Sequence, residues 1–234
     1  MAEPMQFPRT LPSIELFAGL SSTDLEQVLA TARIRHMAKE TRIFNQGDDA
    51  DRAYVLLRGS VRISQSGNDG DQVIIRFIGP GETFGTVALF TDRLYPADAD
   101  AFAEAVIASW SEDALLGLMI RHPQIAVNVI RITGKRLKEA QERVRELSTQ
   151  RVEQRVARAV LRLAQQAGHH TVDGTAIKFP LRRKDVADIS GTTLHTASRI
   201  LTAWEKAGLL TSENQRLTIC KPTEISKIAD GSAS

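Results

Sequence analysis

The sequence predicts an α+β fold in three parts: an antiparallel β-roll, one long helix, and a helical domain that ends in a short hairpin. Three observations predict it. Short β-type runs separated by glycines fill the first half, an apolar heptad pattern follows Pro123, and amphipathic helical segments occupy the remainder. We place the three parts at residues 1–122, 123–148 and 149–234.

The β-roll is predicted from residues 33–110. The runs YVLL, VRIS, QVIIRFI and AEAVIAS have β-type composition, and glycines punctuate them. Many short strands with glycine turns are typical of antiparallel rolls and barrels, and Gly59 suits a hairpin turn because glycine adopts positive φ without strain. A plain β-sandwich has the same features. A short amphipathic helix, capped by Ser21 or Ser22, precedes the roll.

The segment after Pro123 predicts a long helix with one apolar seam. Apolar or small residues recur at alternating spacings of four and three over 24 residues, or ~36 Å at 1.5 Å per residue. Because the other faces are charged, we expect a second copy of the helix to cover the seam in a parallel homodimer, rather than the chain's own roll. The seam comprises Ala126, Ile130, Thr133, Leu137, Ala140, Val144 and Leu147.

The third part contains a short helix, a turn and a longer helix. After a first helix that Ser148 or Thr149 would cap, RRKDVADISG predicts a short helix that stops at Gly191. The longer helix that follows has one apolar stripe, formed by Ala197, Ile200, Leu201 and Trp204, and LLTSENQRLTI then predicts a hairpin. This order is typical of a winged helix-turn-helix.

The polar face of the longer helix suits DNA, because in a helix-turn-helix one stripe packs on the domain and the other enters the major groove. Arg199 matches guanine O6 and N7 with its forked donors, while Ser198 and His195 can donate or accept at base edges. A dimer would read a near-palindromic site in double-stranded DNA with half-sites ~34 Å apart. We expect phosphate contacts, which give affinity rather than sequence choice, from Arg182, Arg183, Lys184, Thr192, Thr193 and Thr196.

The charge distribution favours DNA binding by the longer helix over the alternative that its polar face is simply exposed to solvent. Residues 1–147 contain 17 Lys and Arg against 20 Asp and Glu, whereas residues 148–234 contain 13 against 8. The C-terminal part is therefore basic, as a polyanion-binding domain requires.

Composition also excludes several classes of protein. The only cysteine, Cys220, excludes an internal disulfide and an all-cysteine iron–sulfur cluster within one chain, and it favours the cytosol. No apolar run approaches the ~18 residues of a membrane span. We find no metal-ligand spacing, P-loop or Ser-His-Asp order, so we expect a protein that is not an enzyme and has neither catalytic residues nor a metal site of that kind.

Taken together, the chain resembles the Crp/Fnr family of transcription regulators. The resemblance runs from LFAGLSSTDLEQVL through GPGETFGTVALF to DVADISGTTLHTASRILTAWEKAGLL. It implies a cyclic-nucleotide-binding-like jelly roll, a dimerisation helix and a winged helix-turn-helix. It also implies a cytoplasmic homodimeric switch that recruits RNA polymerase.

The resemblance indicates where an effector would bind. In the cyclic-AMP-binding branch a glutamate follows FG, and an Arg-Ser pair holds the cyclic phosphate. Here Thr86 follows Gly85, and Pro96 and Ala97 stand at the Arg-Ser positions. Because no arginine there would neutralise a phosphate, we do not expect cyclic AMP. The iron–sulfur branch needs four cysteines and is excluded.

The segments GTTLHTASRILTAWEKAGLL and LYPADADA are most similar to the nitrogen-oxide-responsive NnrR and Dnr branch. This similarity implies a nitric oxide or redox signal in denitrification control, with haem as a candidate cofactor. Its axial ligand could come from His36, His122, Tyr54 or Tyr95, although we favour structural roles for all four. A ligand-independent regulator controlled by its abundance, or one that responds to another small effector, stays open.

Overall fold

A computed structural model of the protein describes residues 14–67, 72–213 and 215–232. The chain divides into two units, one formed by residues 1–63 and 78–138 and the other by residues 64–77 and 139–234. The division into 1–122, 123–148 and 149–234 stays a prediction. Within the described ranges, no helix is long and apolar enough to cross a membrane.

The first half contains two four-stranded sheets with antiparallel pairs in each, as the roll prediction requires. The elements are α1 (Ser22–Ala30), β1 (Arg33–Met37), β2 (Arg42–Phe44), β3 (Arg52–Arg58), β4 (Val61–Ser66), β5 (Gln72–Ile78), β6 (Thr83–Phe84), β7 (Asp98–Ala101), β8 (Ala105–Ser111) and α2 (Glu112–Arg121). The two sheets have the strand orders β1-β8-β3-β6 and β2-β7-β4-β5, and residues 64–77 group with the second unit.

Two local predictions in this half are confirmed. Ser21 caps α1, since its hydroxyl accepts from the Asp24 amide at 3.2 Å while the Asp24 carboxylate accepts from the Ser21 amide at 3.4 Å. Gly59 has φ +95°, and a Cβ there would lie 2.1 Å from the Glu104 carbonyl oxygen. The β3–β4 turn therefore needs glycine both for its backbone angle and for space.

The core of the first unit joins α1 to the roll. Trp110 on β8 is fully buried and donates from its indole nitrogen to the Val28 carbonyl at 3.0 Å. Phe17, in a 3₁₀ turn that precedes α1, meets the Trp110 ring edge to face at 5.2 Å between centroids.

The long helix α3 spans Pro123–Thr149, one residue beyond the predicted end. Its first turns bury Ile125, Asn128 and Ile132. The Asn128 side-chain amide donates to the carbonyls of Leu16 and Ala18 at 3.1 and 2.9 Å, so the N-terminal 3₁₀ turn is tied to this helix.

The second half has the predicted winged helix-turn-helix. It comprises α4 (Val152–Ala167), β9 (Gly168–Thr171), β10 (Gly174–Ile177), α5 (Arg183–Ser190), α6 (Leu194–Lys206), β11 (Leu210–Glu213), β12 (Arg216–Ile219) and α7 (Pro222–Asp230). The four strands form a sheet in the order β11-β12-β10-β9. The β11–β12 hairpin is the predicted wing.

The prediction that Ser148 or Thr149 caps α4 is wrong. Both hydroxyls donate back into α3, to the Val144 and Arg145 carbonyls at 2.9 and 2.8 Å. Instead α4 begins after Arg151, whose amide donates to the Gln154 side-chain oxygen at 2.9 Å. Serine and threonine near a helix end can satisfy the carbonyls of the preceding turn as well as cap the next helix.

Candidate nucleic-acid interface

The turn between α5 and α6 has the geometry of a helix-turn-helix. Gly191 ends α5 in the left-handed region, with φ 62° and ψ 49°. Two residues later Thr193 caps α6, because its hydroxyl accepts from the Thr196 amide at 3.2 Å. A glycine stop followed by a threonine cap ends α5 and starts α6 within three residues.

The structure separates the two faces of α6 as the sequence predicts. Ala197, Ile200, Leu201 and Trp204 are buried, and the Trp204 indole donates to a Glu153 carboxylate oxygen of α4 at 3.1 Å. On the other face His195 and Arg199 are exposed and Ser198 is half-buried. Among the described residues, the Arg199 side chain makes no hydrogen bond or ion pair. Its donors are therefore available to a ligand.

Arg183 lies between the two helices of the motif. Its guanidinium donates to the Ser198 carbonyl at 2.8 Å, to the Thr202 hydroxyl at 2.7 Å and to both Glu205 carboxylate oxygens at 3.1 and 2.8 Å. The forked donors of arginine match this planar bidentate arrangement. The predicted phosphate contact by Arg183 stays a prediction, but the observed bonds give the residue a second role in holding α6 against α5.

The other predicted phosphate contacts surround the start of each helix. Lys184 is exposed, with its ammonium 3.8 Å from Asp188, and Arg182 pairs with the buried carboxylate of Asp185 at 3.0 Å. The Thr193 and Thr196 hydroxyls are bonded to each other at 3.0 Å, and Thr192 is half-buried next to them. The phosphate contacts of these residues stay a prediction.

An open groove, which we call the wing groove, adds residues that the sequence analysis missed. The wing is attached beside α5, because the Leu181 amide donates to the Gln215 carbonyl at 2.6 Å. The hairpin prediction could have indicated Ser212 and Gln215, since wing tips adjoin the helix-turn-helix. The groove is lined by Leu181, Arg182, Arg183, Lys184, Leu194, Ser212 and Gln215.

A second arginine, Arg155 of α4, ties the helix-turn-helix to the end of α3. Its guanidinium donates to the Gln150, Ser190 and Gly191 carbonyls at 3.0, 3.0 and 3.1 Å. These carbonyls lie at the carboxyl ends of α3 and α5, where helix dipoles favour a cation. Nearby, Arg162 donates to both oxygens of the buried Glu146 carboxylate at 2.9 and 2.8 Å.

The predicted effector pocket in the roll is closely packed. Thr86 and Ala97 are buried, whereas Pro96 is exposed. A Cβ on Gly85 would lie 3.0 Å from the Tyr54 ring and 3.3 Å from the Tyr95 ring. Tyr95 stacks on Phe44 at 3.8 Å and Tyr54 on Phe84 at 5.1 Å, so aromatic rings occupy the space beside Gly85.

The turn that carries Thr86 is also connected to the long helix. The Thr83 and Thr86 hydroxyls lie 2.8 Å apart, and the Thr83 hydroxyl also donates to the Tyr54 carbonyl at 2.8 Å. Arg136 of α3 donates to the Thr83 carbonyl oxygen. Thr83 is therefore a bonding neighbour of both Thr86 and α3.

The four candidate haem ligands differ in their surroundings. His36 is an exposed residue of β1. Tyr95 donates to the Arg52 carbonyl at 2.8 Å, and burial raises the pKa of both Tyr54 and Tyr95, which disfavours the tyrosinate that would bind iron.

His122 lies at the α2–α3 junction, and its side chain is largely buried. Its Nδ1 lies 3.5 Å from Asp24, while its Nε2 is buried without a hydrogen-bond partner among the described residues. A neutral imidazole held at one nitrogen by a carboxylate can ligate iron through the other. Within the same residues, no group of three or more His, Cys, Asp or Glu could hold a metal ion.

Two domain families match the chain. The cyclic nucleotide-binding domain matches residues 34–122, and the Crp-like helix-turn-helix domain matches residues 154–228. The first match covers most of the roll and the second covers α4 to α7. The predicted order of roll, long helix and winged helix-turn-helix is therefore confirmed.

Named proteins of similar sequence are transcription regulators. The Cyclic AMP receptor protein of Thermus thermophilus is 29% identical over 195 residues, which is 83% of this chain and 87% of that protein. The Nitrogen fixation regulation protein FixK of Azorhizobium caulinodans is 28% identical over 205 residues, which is 87% of this chain and 82% of that protein.

Solved structures agree in fold. The Catabolite Activator Protein of Thermus thermophilus aligns with a TM-score of 0.54 at 28% identity, covering 94% of this chain and all of that one. FixK2 from Bradyrhizobium japonicum aligns with a TM-score of 0.74 at 22% identity, over 84% of this chain and 96% of that one, which supports the fold alone.

Proposed function

Because the chain belongs to the Crp/Fnr family of transcription regulators, with a cyclic-nucleotide-binding domain and a Crp-like helix-turn-helix domain, we propose that it is a homodimer that reads a near-palindromic DNA site through α6. The observation that carries this proposal is the exposed polar face of α6, opposite a fully buried apolar stripe. The similar proteins are regulators and not enzymes, so the prediction of a non-enzyme is confirmed.

Base recognition rests on three residues of α6. Arg199 would bond bidentately to guanine, and Ser198 and His195 would contact neighbouring base edges. Arg182, Arg183, Lys184, Thr192, Thr193 and Thr196 would hold the phosphates that fix the register of the helix on DNA. The fixed start of α6 at Thr193 supports this division of roles, because base readout needs a rigid helix.

The exposed seam of α3 supports the homodimer. Ile130, Leu137 and Val144 are 71%, 60% and 64% exposed in the single chain. Burying such a side chain completely contributes a favourable free energy of roughly 1.5–3 kcal/mol. The seam residues of two helices together can therefore offset an association cost of about 4–15 kcal/mol. The two reading helices of the dimer would then face half-sites ~34 Å apart. We propose that the dimer acts in the cytoplasm and contacts RNA polymerase at the promoter.

The central experiment compares a base-reading residue with a phosphate-binding one. We expect Arg199→Ala to weaken binding to the selected site by about 1–3 kcal/mol and to relax preference at one guanine, because a bidentate contact is lost. Lys184→Ala should weaken selected and random duplexes alike, because a phosphate contact carries no sequence information. Fluorescence anisotropy with both duplexes measures these effects. Equal losses on both duplexes for Arg199→Ala would contradict base reading.

For the signal, we propose nitric oxide or a redox change in denitrification control, sensed through haem, rather than cyclic AMP. The similarity of LYPADADA and GTTLHTASRILTAWEKAGLL to the NnrR and Dnr branch supports this signal, and the Pro96–Ala97 pair lacks the arginine that a cyclic phosphate needs. When bound, the haem would supply the iron that takes up the gas. The chain's own contribution would be the imidazole of His122, held through Nδ1 near Asp24.

A ligand-independent regulator controlled by its abundance is the second candidate, and the ring packing beside Gly85 favours it. Absorbance in the Soret region after haem addition separates the two. A haem sensor should show a Soret band that shifts with nitric oxide and is lost in His122→Ala, whereas His36→Ala should keep it. Absence of a stoichiometric band in the wild type would favour the ligand-independent regulator.

A further inference from the structure

Leu147, the last residue of the α3 seam, also touches the turn between α5 and α6. A Cβ placed on Gly191 would lie 2.6 Å from Cδ2 of Leu147, well inside the ~3.5–4.0 Å at which carbon atoms pack. Gly191 ends α5 and lies two residues before Thr193, which caps α6. A side chain of α3 therefore rests against the segment that fixes the start of the reading helix.

Hydrogen bonds hold the same junction. The Arg155 guanidinium of α4 donates to the Gln150 carbonyl, just beyond the end of α3, at 3.0 Å. It also donates to the Ser190 and Gly191 carbonyls at 3.0 and 3.1 Å. One side chain thus ties the end of α3 to the turn that Leu147 contacts.

The last turn of α3 is also fixed against α4. Glu146, one residue before Leu147, is buried, and both of its carboxylate oxygens accept from Arg162 at 2.9 and 2.8 Å. Leu147 itself is 48% exposed, so one side of it meets the turn while the other is open to solvent in the single chain. Among the described residues, no other side chain outside the neighbours of Gly191 comes within 4 Å of the same Cβ position.

We propose that Leu147 is a positioning residue that sets the spacing between the two half-sites of the DNA target. The inference rests on the proposed homodimeric function and extends it from the sequence of a half-site to the distance between half-sites. In a parallel dimer the two Leu147 side chains would meet at the end of the seam. Each would then separate the dimer axis from its own Gly191, so the two side chains together determine how far apart the reading helices lie.

This separation matters because the two half-sites are fixed on one duplex. One base pair added between them moves one half-site by ~3.4 Å and rotates it by roughly 35° about the duplex axis. A dimer whose turns are held by Leu147 and Arg155 cannot follow this change and loses one of its two contacts. Truncation of the leucine gives each turn room to move, so the dimer then tolerates an altered spacing.

Duplexes that differ only in the spacer test the proposal. After a site has been selected from randomised duplexes, one base pair is added to or removed from its centre, and binding is measured by fluorescence anisotropy. The wild type should bind the altered spacers at least ~100-fold more weakly, whereas Leu147→Ala should lose only ~10-fold or less. Replacement of the guanine that responds to Arg199→Ala should cost the wild type and Leu147→Ala the same factor, because the reading helix itself is unchanged.

Val144→Ala is the matched control, because Val144 also lies exposed on the seam but is not the side chain that contacts Gly191. It should keep the wild-type ratio between the selected and altered spacers. Sedimentation velocity at the concentrations used for binding shows that the compared variants are dimers. Arg155→Lys provides a second test off the seam: lysine keeps the charge but lacks the forked donors that reach three carbonyls, so the spacing ratio should fall here too.

The proposal is overturned if Leu147→Ala and Arg155→Lys both keep the wild-type spacing ratio. It is also overturned if Val144→Ala lowers that ratio as far as Leu147→Ala, since the ratio then follows the strength of the dimer. A wild type that selects a site but accepts every spacer equally contradicts the spacing role alone. A wild type that selects no duplex contradicts the proposed function itself.

Discussion

Arg183 has two roles to distinguish, binding of a DNA phosphate and positioning of α6, and an arginine could perform either one. Its sequence context, in the basic run before a helix-turn-helix, predicts a phosphate contact. In the structure the same guanidinium bonds to the Ser198 carbonyl, the Thr202 hydroxyl and the Glu205 carboxylate. Because two of these bonds go to Ser198 and Thr202 of α6, Arg183 positions α6 whether or not it also meets a phosphate.

Substitutions of this pair distinguish positioning from phosphate binding. We expect Arg183→Lys to weaken binding to the selected site by several-fold and to leave random-duplex binding nearly unchanged. Lysine keeps the charge but lacks the forked donors that reach Ser198, Thr202 and Glu205 together. We expect Glu205→Gln also to weaken binding to the selected site. It should lower the free energy of unfolding by about 0.5–1 kcal/mol, a small value because the Arg183–Glu205 pair is partly exposed.

Both variants are measured by anisotropy on selected and random duplexes and by urea unfolding. Glu224→Gln is the charge-matched control, because it also removes one carboxylate but from an exposed pair with Lys227 on α7. It should change neither the specificity ratio nor, beyond a few tenths of a kcal/mol, the stability. If Glu205→Gln leaves the specificity ratio at the wild-type value, Arg183 has no positioning role.

At the scale of elements, the parts with a strong period could be predicted from the sequence. The two stripes of α6 survive in the structure, because the repeat records which side of that helix is buried. The four-and-three repeat of α3 lies on an exposed face of the single chain, so its role as a dimer seam stays a prediction. The Gly191 stop was predictable for a different reason: only glycine enters the left-handed region without strain.

The elements that the sequence did not reveal depend on distant partners. The short strand β7 holds Asp98 and Asp100, two buried carboxylates in a segment with no β-type composition. They are paired with Arg42 of β2 at 2.5 and 2.6 Å, and Asp100 also with Arg62 of β4 at 3.3 Å. The carboxylates of this strand find their partners more than thirty residues away in the sequence, which local patterns do not record.

The candidate interface was predictable to the same extent as its elements. The base-reading face follows from the period of α6, so His195, Ser198 and Arg199 could be named in advance. The bonds of Arg155 to the ends of α3 and α5 could not, because three backbone carbonyls give no sequence signal. The wing groove likewise depends on a backbone bond from Leu181 to Gln215.

At the scale of the whole molecule, two surfaces are without a partner within the described chain. One is the reading face of α6 and the other is the α3 seam. In the proposed function the two surfaces act together, because a near-palindromic site would be read with high affinity only when two reading helices belong to one dimer. Disrupting the seam should therefore weaken DNA binding without touching any DNA-contacting residue.

Leu137→Glu tests this link. In a parallel dimer Leu137 would meet its own copy, so the variant would bring two carboxylates together in a seam that excludes water. We expect the dimer dissociation constant to rise at least ~100-fold, equivalent to about 3 kcal/mol, and affinity for the full site to approach that for a single half-site. Because Leu137 is 60% exposed in the single chain, the monomer should keep its helical circular dichroism.

Arg131→Gln is the control. It changes an exposed residue off the seam and also lowers the net charge by one, so this variant should stay dimeric. Sedimentation velocity measures the association of both variants. An unchanged dimer for Leu137→Glu would mean that the seam of α3 is not the surface that joins two copies.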